Sequence, residues 1–180
     1  MVTETINGLK LLKGTEGYES LFIDSSRIDD CVEYLHANNL KHISINSFQG
    51  YKAKDLNFLA GLKNYLEGIS IPENHYDFAI VNELHKLKSL GIPDNKKDNI
   101  NLASFPKLER LATDFSERLI GLAKCSNLKS LTLSNYKSET QNVSALPPLN
   151  ALEDLFLIQP KIVSLKGVEI FKSLKKVKPV

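Results

Sequence analysis

Residues 128–133 read Leu128-Lys-Ser-Leu131-Thr-Leu133, and the architecture of the chain follows from this short pattern. Its apolar residues at the fourth and sixth places alternate with polar ones, which is the period of a short β-strand with one buried face. The same pattern, with some substitutions at the later places, begins again at Leu40, Leu66, Leu87, Leu108, Leu152 and Leu174, and Tyr18 begins a further copy with Tyr in place of the leading Leu. The leading leucines from residue 40 onward lie 20 to 26 residues apart, and a period of this length indicates stacked repeats.

The segments between the strands carry a second pattern. Each begins with a polar turn and continues with apolar residues at every third position, as in Leu119, Leu122 and Cys125 before Leu128. A spacing of three suits a short helix or a 3₁₀ turn that places every third side chain on one side. Each segment is therefore predicted to return behind its strand, so that neighbouring repeats share one core and pair their strands in parallel.

One longer helix is predicted in the first unit. Its apolar stripe at helical spacing runs from Ile28 to Leu35, and Asn38-Asn39 follows as a stop signal. Ser26 precedes the stripe, and Asp29 stands three residues later. This arrangement predicts Ser26 as the N-cap of the helix.

The recurring segments resemble the leucine-rich repeat family, in its short bacterial form, over about residues 18–178. The resemblance implies an α/β fold, a leucine-rich repeat solenoid with a curved parallel sheet on the concave side and short helices or 3₁₀ turns on the convex side. We expect a single domain over residues 1–180, with an N-terminal cap at 1–17 and about seven to eight repeats at 18–180. The residues predicted to form a capping strand are Ile6, Leu9, Leu11 and Leu12.

One place in the repeat departs from the family pattern. The family often has Asn or Cys three residues after the sixth-place aliphatic residue, where it forms hydrogen bonds between layers. This place holds Phe48, Asn74, Asn95, Ser116, Tyr136 and Pro160. The asparagine ladder is therefore predicted to be incomplete.

Composition limits the classes of function. The chain has 180 residues, of which 42% are hydrophobic, and a net charge of +2, which favours one continuous core and gives no indication of nucleic acid binding. The N-terminal residues contain no apolar signal segment, and no run approaches the roughly 20 apolar residues of a membrane span. We therefore expect a cytoplasmic protein, with Cys31 and Cys125 as reduced thiols in separate repeats.

No residue pattern indicates catalysis. The histidines at positions 36, 42, 75 and 85 share no metal-ligand spacing, and neither cysteine belongs to a Cys-x-x-Cys pair. The sequence has no Gly-x-Ser-x-Gly elbow, P-loop or dinucleotide-binding glycine motif. We predict a non-enzymatic protein without a metal or another cofactor.

Residues at the third and fifth places of each strand are predicted to point out of the concave side, because those at the fourth and sixth places point inward. Small residues occupy the middle of the sheet, Phe22 and Phe156 are expected to be exposed near its ends, and acidic residues follow several strands. The candidate partner-binding residues are Phe22, Asp24, His42, Ser44, Glu73, Asp94, Arg110, Asp114, Phe115, Thr132, Asp154 and Phe156. Under the alternative interpretation, the small residues only permit curvature, the phenylalanines pack on terminal segments, and the acids form a solvated edge.

The resemblance implies a non-catalytic protein–protein interaction module that binds its partner on the concave face and the adjacent turns. One concrete hypothesis is an intracellular immunity or antitoxin-type inhibitor, whose acidic turns attract a basic toxin domain. A nucleic acid is not an expected partner, since acidic turns repel phosphates. A membrane is not expected either, because no apolar run is long enough to span one. The alternative hypothesis is a fragment of an exported, internalin-like adhesive or structural surface protein.

Overall fold

The computed structural model describes residues 2–14, 18–94, 98–116 and 119–179 of the 180-residue chain. Within these ranges it contains the helix α1 (Ile28–Ala37) and a series of short strands. They are β1 (Val2–Ile6), β2 (Leu9–Lys13), β3 (Glu19–Phe22), β4 (His42–Ser44), β5 (Gly68–Ser70), β6 (Ser89–Ile92), β7 (Ile100–Asn101), β8 (Arg110–Asp114), β9 (Leu119–Ile120), β10 (Ser130–Ser134), β11 (Asp154–Ile158) and β12 (Lys176–Pro179). No helix in the described part has the length and apolar character needed to cross a membrane.

Most of the strands form one long sheet. The order is β1-β2-β3-β4-β5-β6-β8-β10-β11-β12, and all neighbours from β3 to β12 are parallel. The strands β7 and β9 form a separate parallel pair that the sequence did not predict. The main sheet thus receives one strand from each repeat, which confirms the predicted parallel stacking.

The register of the sheet also confirms the sequence pattern. The third-place column runs across the pairs in the order His42, Gly68, Ser89, Arg110, Ser130, Asp154 and Lys176. The fifth-place column runs in the order Phe22, Ser44, Ser70, Gly91, Ala112, Thr132, Phe156 and Lys178. These two columns lie on the concave face of the sheet, because side chains alternate along each strand and the intervening residues are in the core.

The return segments contain the predicted 3₁₀ turns. These turns span Ser47–Gln49, Asn57–Leu62, Ala79–Glu83, Leu102–Ser104, Leu122–Lys124, Val143–Ala145 and Val168–Ile170. The apolar residues of the strands and of these turns form one buried cluster from Leu9 to Phe171. The fourth-place residues Leu90, Leu131 and Leu155 are at most 1% exposed, so the predicted core is confirmed.

The first turn of α1 differs from the prediction. Ser26 does not cap the helix, whose N-cap position is Arg27 without a capping side chain. Instead, the backbone N–H and the hydroxyl of Ser26 both donate to Asp24 Oδ1, at 2.9 and 2.7 Å. Asp24 thus binds the Ser26 hydroxyl, and Ser26 does not act as the helix cap. The predicted stop is confirmed, since α1 ends at Ala37 and Asn39 adopts a φ of 53°.

Carboxylates make several of the hydrogen bonds between layers that asparagines often make. Glu73 accepts the N–H of Ser47 at 2.7 Å, and Asp98 accepts the N–H of Phe78 at 2.9 Å. Of the two predicted ladder amides, Asn74 is exposed, and Asn95 lies outside the described residues. The incomplete asparagine ladder is therefore supplemented by acids from nearby positions of the same turns.

Three buried tyrosines contribute to the core and were not predicted. Tyr51, Tyr76 and Tyr136 are each at most 1% exposed, and Tyr51 packs edge-on against Tyr76 with ring centroids 5.8 Å apart. The hydroxyls of Tyr51 and Tyr136 donate to backbone carbonyls. Burial raises the pKa of Tyr51 to about 12, so this hydroxyl remains a proton donor at neutral pH.

A β-hairpin precedes the first repeat, where a single capping strand was predicted. The strands β1 and β2 are antiparallel and are joined at Asn7 and Gly8, whose φ angles are 52° and 78°. Two successive residues with positive φ are typical of the tight turn that matches strand twist. Because β2 also pairs with β3 and buries Leu9 and Leu11, the hairpin covers the first layer of the core. Residues 15–17 of the predicted cap lie outside the described part.

A column of alternating charge runs along the second place of the repeats. In chain order it reads Glu19, Lys41, Glu67, Lys88, Glu109, Lys129, Glu153 and Lys175. From Glu67 onward each glutamate pairs with the following lysine, at 2.7, 3.2 and 2.7 Å. Each pair links two neighbouring layers, and stacking with like charges opposed would cost electrostatic energy. The column therefore favours the observed order of the layers.

Candidate functional site

The concave face contains a hollow of about 500 Å³ that extends across the strands from β2 to β10. We call it the central concavity. Its ends are marked by Tyr18 on one side and by Ser130 and Thr132 on the other, and Ser20 and Arg110 also line it. It belongs to the face that was predicted to bind a partner.

The floor of the central concavity is low because small residues line the middle of both columns. Ser70, Ser89, Gly91 and Ala112 occupy adjacent positions on β5, β6 and β8. Their short side chains leave the backbone of the sheet close to the surface. An inserted loop or side chain of another molecule can therefore reach hydroxyl groups and backbone together.

Arg110 is the charged residue at the centre of this face. It is exposed and stands between Ser89 on β6 and Ser130 on β10. The guanidinium makes no hydrogen bond or ion pair within the described ranges. Asp154, another candidate residue, lies two strands from Arg110, which corresponds to roughly 9.6 Å between the backbones.

His42 lies over the glycine of the neighbouring strand. A Cβ atom added to Gly68 would lie 2.0 Å from Nδ1 of His42, so the imidazole occupies the space that a side chain would take. The ring also meets Tyr18 edge-on, with centroids 5.0 Å apart. Burial, and secondly the nearby charge of Arg110, lowers the pKa of His42, so the ring is neutral at pH 7.

Ser20 adds a buried hydroxyl to the same hollow. The residue is only 1% exposed, and its Oγ has no hydrogen-bond partner among the described residues. Nδ1 of His42 on the next strand is likewise buried and unpartnered there. These two groups therefore do not form the hydrogen-bonded nucleophile and base that covalent catalysis requires.

Two candidate residues are more buried than predicted. Phe22 is 8% exposed and Ser44, its partner across β3 and β4, is 6% exposed. The prediction that Phe22 stands exposed is wrong, because the hairpin strand β2 pairs with β3 and covers this end of the sheet. Lys10 Nζ donates to Gln49 Oε1 at 3.3 Å, joining the hairpin to the turn after β4.

Phe156 differs from Phe22 because it remains half-buried at the other end of the sheet. It stands on β11 between Thr132 on β10 and Lys178 on β12. The ammonium of Lys176 lies 5.2 Å from the centroid of its ring. Phe156 therefore presents part of its ring on the concave face, beside cationic side chains.

The four predicted acidic turn residues are half-buried and take part in the turns themselves. Asp24 binds Ser26, and these hydrogen bonds lower the pKa of Asp24. Glu73 binds Ser47, as described above, and Asp114 Oδ2 accepts the N–H of Asp94 at 3.1 Å. Asp24, Glu73 and Asp114 thus each accept a hydrogen bond from a backbone N–H. They hold the turns together and also make this edge negative.

Two aromatic residues beside these acids lie in different environments. Phe115 is half-buried and packs edge-on against Tyr136, with centroids 4.7 Å apart. Phe48 was not among the candidate residues, yet it is 90% exposed on the turn after β4. The place of Phe48 in the repeat did not predict its exposure, because Tyr136, at the same place of another repeat, is fully buried. Phe48 is thus a large apolar side chain open to solvent at the edge of the concave face.

The described residues contain no group of three or more His, Cys, Asp or Glu side chains that are placed to hold a metal ion. Both cysteines are buried, and burial raises the pKa of Cys125 to about 11. This thiol is consequently protonated and unreactive at neutral pH. The site offers hydroxyl donors, one guanidinium and a neutral imidazole, which are suited to recognition by hydrogen bonds.

Comparison with solved structures gives a match to a protein of known fold. No protein-family model and no curated protein matches the chain. Among solved structures it is similar to an internalin C2 from Listeria monocytogenes, with a TM-score of 0.53 and 18% identity. The match covers 78% of this chain and 61% of the internalin, so the chain spans less than two thirds of that protein. This similarity shows the fold, and the predicted leucine-rich repeat solenoid is confirmed.

Proposed function

We propose that this protein is a non-catalytic module that binds a protein partner on its concave face and adjacent turns. The observation that carries the proposal is the central concavity of about 500 Å³, which spans neighbouring repeats above a floor of small residues. Broad exposure of hydroxyls and backbone favours a loop or helix of another protein. The exposed Phe48 and the partly exposed Phe156 at the borders of this face are the kind of residue that anchors interfaces.

In its more specific form, the proposal describes a cytoplasmic immunity or antitoxin-type inhibitor. Its acidic turn residues, Asp24, Glu73, Asp94 and Asp114, would attract a basic toxin domain and increase its association rate. The bound solenoid would then cover the active site of the toxin. Under the alternative, an exported internalin-like surface protein would use the same concave face for adhesion. Fractionation of the native host separates the two, because only the second places the protein outside the cytoplasm.

A matched pair of substitutions tests the use of the concave face. Ala112 is exposed on β8 within the central concavity, and Ala123 is exposed on a 3₁₀ turn behind the sheet. Ala112→Arg adds a bulky cation to the proposed site, whereas Ala123→Arg adds the same group to the convex side. Partners are captured from the native host with each variant, identified by mass spectrometry, and their affinities measured.

The expected result is that Ala112→Arg loses a partner that the wild type and Ala123→Arg both retain. Equal unfolding temperatures of the two variants would establish that the loss is not a folding defect. Retention of every partner by Ala112→Arg, or loss only with Ala123→Arg, would contradict binding on the concave face. An identified toxin would support the inhibitor hypothesis if its activity falls when the complex forms.

A further inference from the structure

We propose that the central concavity recognises an acidic segment of a protein partner, whose Asp or Glu side chain binds the guanidinium of Arg110. This inference rests on the proposed function and names the partner chemistry at the same site. The segment would lie across the strands from β3 to β8, with its carboxylate at Arg110 and a backbone carbonyl at Ser20.

The charges of the concavity favour an acidic ligand. From β3 to β10, the third-place and fifth-place columns contain a single formally charged residue, Arg110. Asp154 lies two strands away, and no described residue pairs with the guanidinium of Arg110. The hydrogen-bond donors of Arg110 are therefore available to a ligand. A planar guanidinium binds a carboxylate through two parallel hydrogen bonds. The hydroxyls of Ser89 and Ser130 flank it and can donate further hydrogen bonds.

The buried hydroxyl of Ser20 is the independent second observation. A hydroxyl removed from water without a partner is unfavourable, and an incoming acceptor would relieve this cost. Ser20 lies on β3, four strand spacings from β8, which corresponds to roughly 19 Å. An extended segment of about six residues covers this distance. The partner group at Ser20 is therefore a different atom from the carboxylate at Arg110.

His42 lies between these two contacts and provides a reporter. Its ring packs on Gly68 and Tyr18, while Arg110, Glu67 and Lys88 are the charged groups that act on it. Arg110 and Lys88 lower the pKa of His42, and Glu67 raises it. A carboxylate bound to Arg110 would offset the positive charge, so the pKa of His42 should increase when the site is filled.

The test uses the full chain and two six-residue peptides, both acetylated and amidated, that differ only by a central Glu or Gln. Binding is followed by NMR, and the titration of the His42 ring is recorded with and without each peptide. The Glu peptide should bind about tenfold more tightly than the Gln peptide. Arg110→Gln should abolish this difference, whereas Lys176→Gln, which removes an exposed cation outside the concavity, should preserve it. Ser20→Ala should weaken the binding of both peptides equally, because Ser20 is proposed to contact the peptide backbone, which the two peptides share.

Several results would overturn the inference. These are equal affinity of the wild type for both peptides, an unchanged preference in Arg110→Gln, and no binding of either peptide at its solubility limit. Inorganic phosphate that competes more strongly than the Glu peptide would instead identify a phosphate site. A partner that Ala112→Arg loses but Arg110→Gln keeps would refute only the carboxylate site. A partner that binds the convex side would refute the proposed function.

Discussion

Substitutions at Gly68 and His42 should have strongly non-additive effects on the free energy of unfolding. A Cβ at position 68 would lie 2.0, 2.7 and 2.9 Å from Nδ1, Cε1 and Cγ of His42, distances that require the ring to move. Gly68→Ala therefore displaces the imidazole and disturbs its edge-on contact with Tyr18, whose centroid is 5.0 Å away. Overpacking of this kind costs about 1–3 kcal/mol. We expect Gly68→Ala to lower the free energy of unfolding by that amount.

When His42 is absent, Gly68→Ala should increase the free energy of unfolding instead of lowering it. Gly68 does not have a positive φ, so alanine fits its strand conformation once the ring is removed. Alanine then restricts the unfolded chain and should stabilise the His42→Ala variant by about 0.4–1 kcal/mol. The coupling energy between positions 42 and 68 is the difference between the two effects, about 1.5–4 kcal/mol.

Urea unfolding followed by circular dichroism measures all four members of this double-mutant cycle. Gly91→Ala provides the matched control, because a Cβ there would meet Ser70 Oγ at an ordinary 3.4 Å. This control should be neutral or slightly stabilising. If Gly68→Ala costs the same with and without His42, the ring does not occupy the space above Gly68, and the description of this part of the concavity is wrong.

Three further predictions follow from the same structure. Phe22→Ala should lower the free energy of unfolding by about 3 kcal/mol or more, because Phe22 is only 8% exposed. Phe156→Ala should lower it by clearly less, because Phe156 is only half-buried. Similar losses for the two variants in urea unfolding would contradict this difference. Glu67→Lys should destabilise by about 0.5–1 kcal/mol at low salt by removing the 2.7 Å ion pair with Lys88. The added Lys88→Glu should recover only part of this loss, because the exchanged charges then lie next to Lys41 and Glu109, which have the same signs. The lowered pKa of His42 means that the folded state binds its proton less readily than the unfolded chain, so stability should fall as pH drops through the ordinary value of 6.5. Urea midpoints on either side of that pH should show a smaller difference in His42→Gln, and an unchanged difference would refute the contribution of this residue.

The candidate site was predictable in part. The sequence placed Arg110, Thr132 and Phe156 on the concave face, because strand alternation and repeat register fix the direction of each side chain. It did not predict the burial of Phe22, since that depends on a hairpin outside the repeat pattern. It also missed the exposure of Phe48, because residues at equivalent places in two turns have different surroundings.

The sequence by itself determined the repeat, the strand positions, their parallel register and the buried leucine column. These features arise from short-range alternation that recurs every 20 to 26 residues, so that each repeat confirms the next. The alternating column of Glu and Lys has the same period, but it was not predicted, because the ion pairs that it forms depend on the register of the layers.

Only the tertiary structure decided which contacts individual side chains make between the repeats. The imidazole of His42 lies over a glycine 26 residues away, and Glu73 binds a backbone N–H 26 residues before it. Such contacts join residues of different repeats, and they depend on side-chain rotamers and turn geometry that no local period encodes. For this reason, the shape and charge of the concavity became apparent only when the layers were stacked.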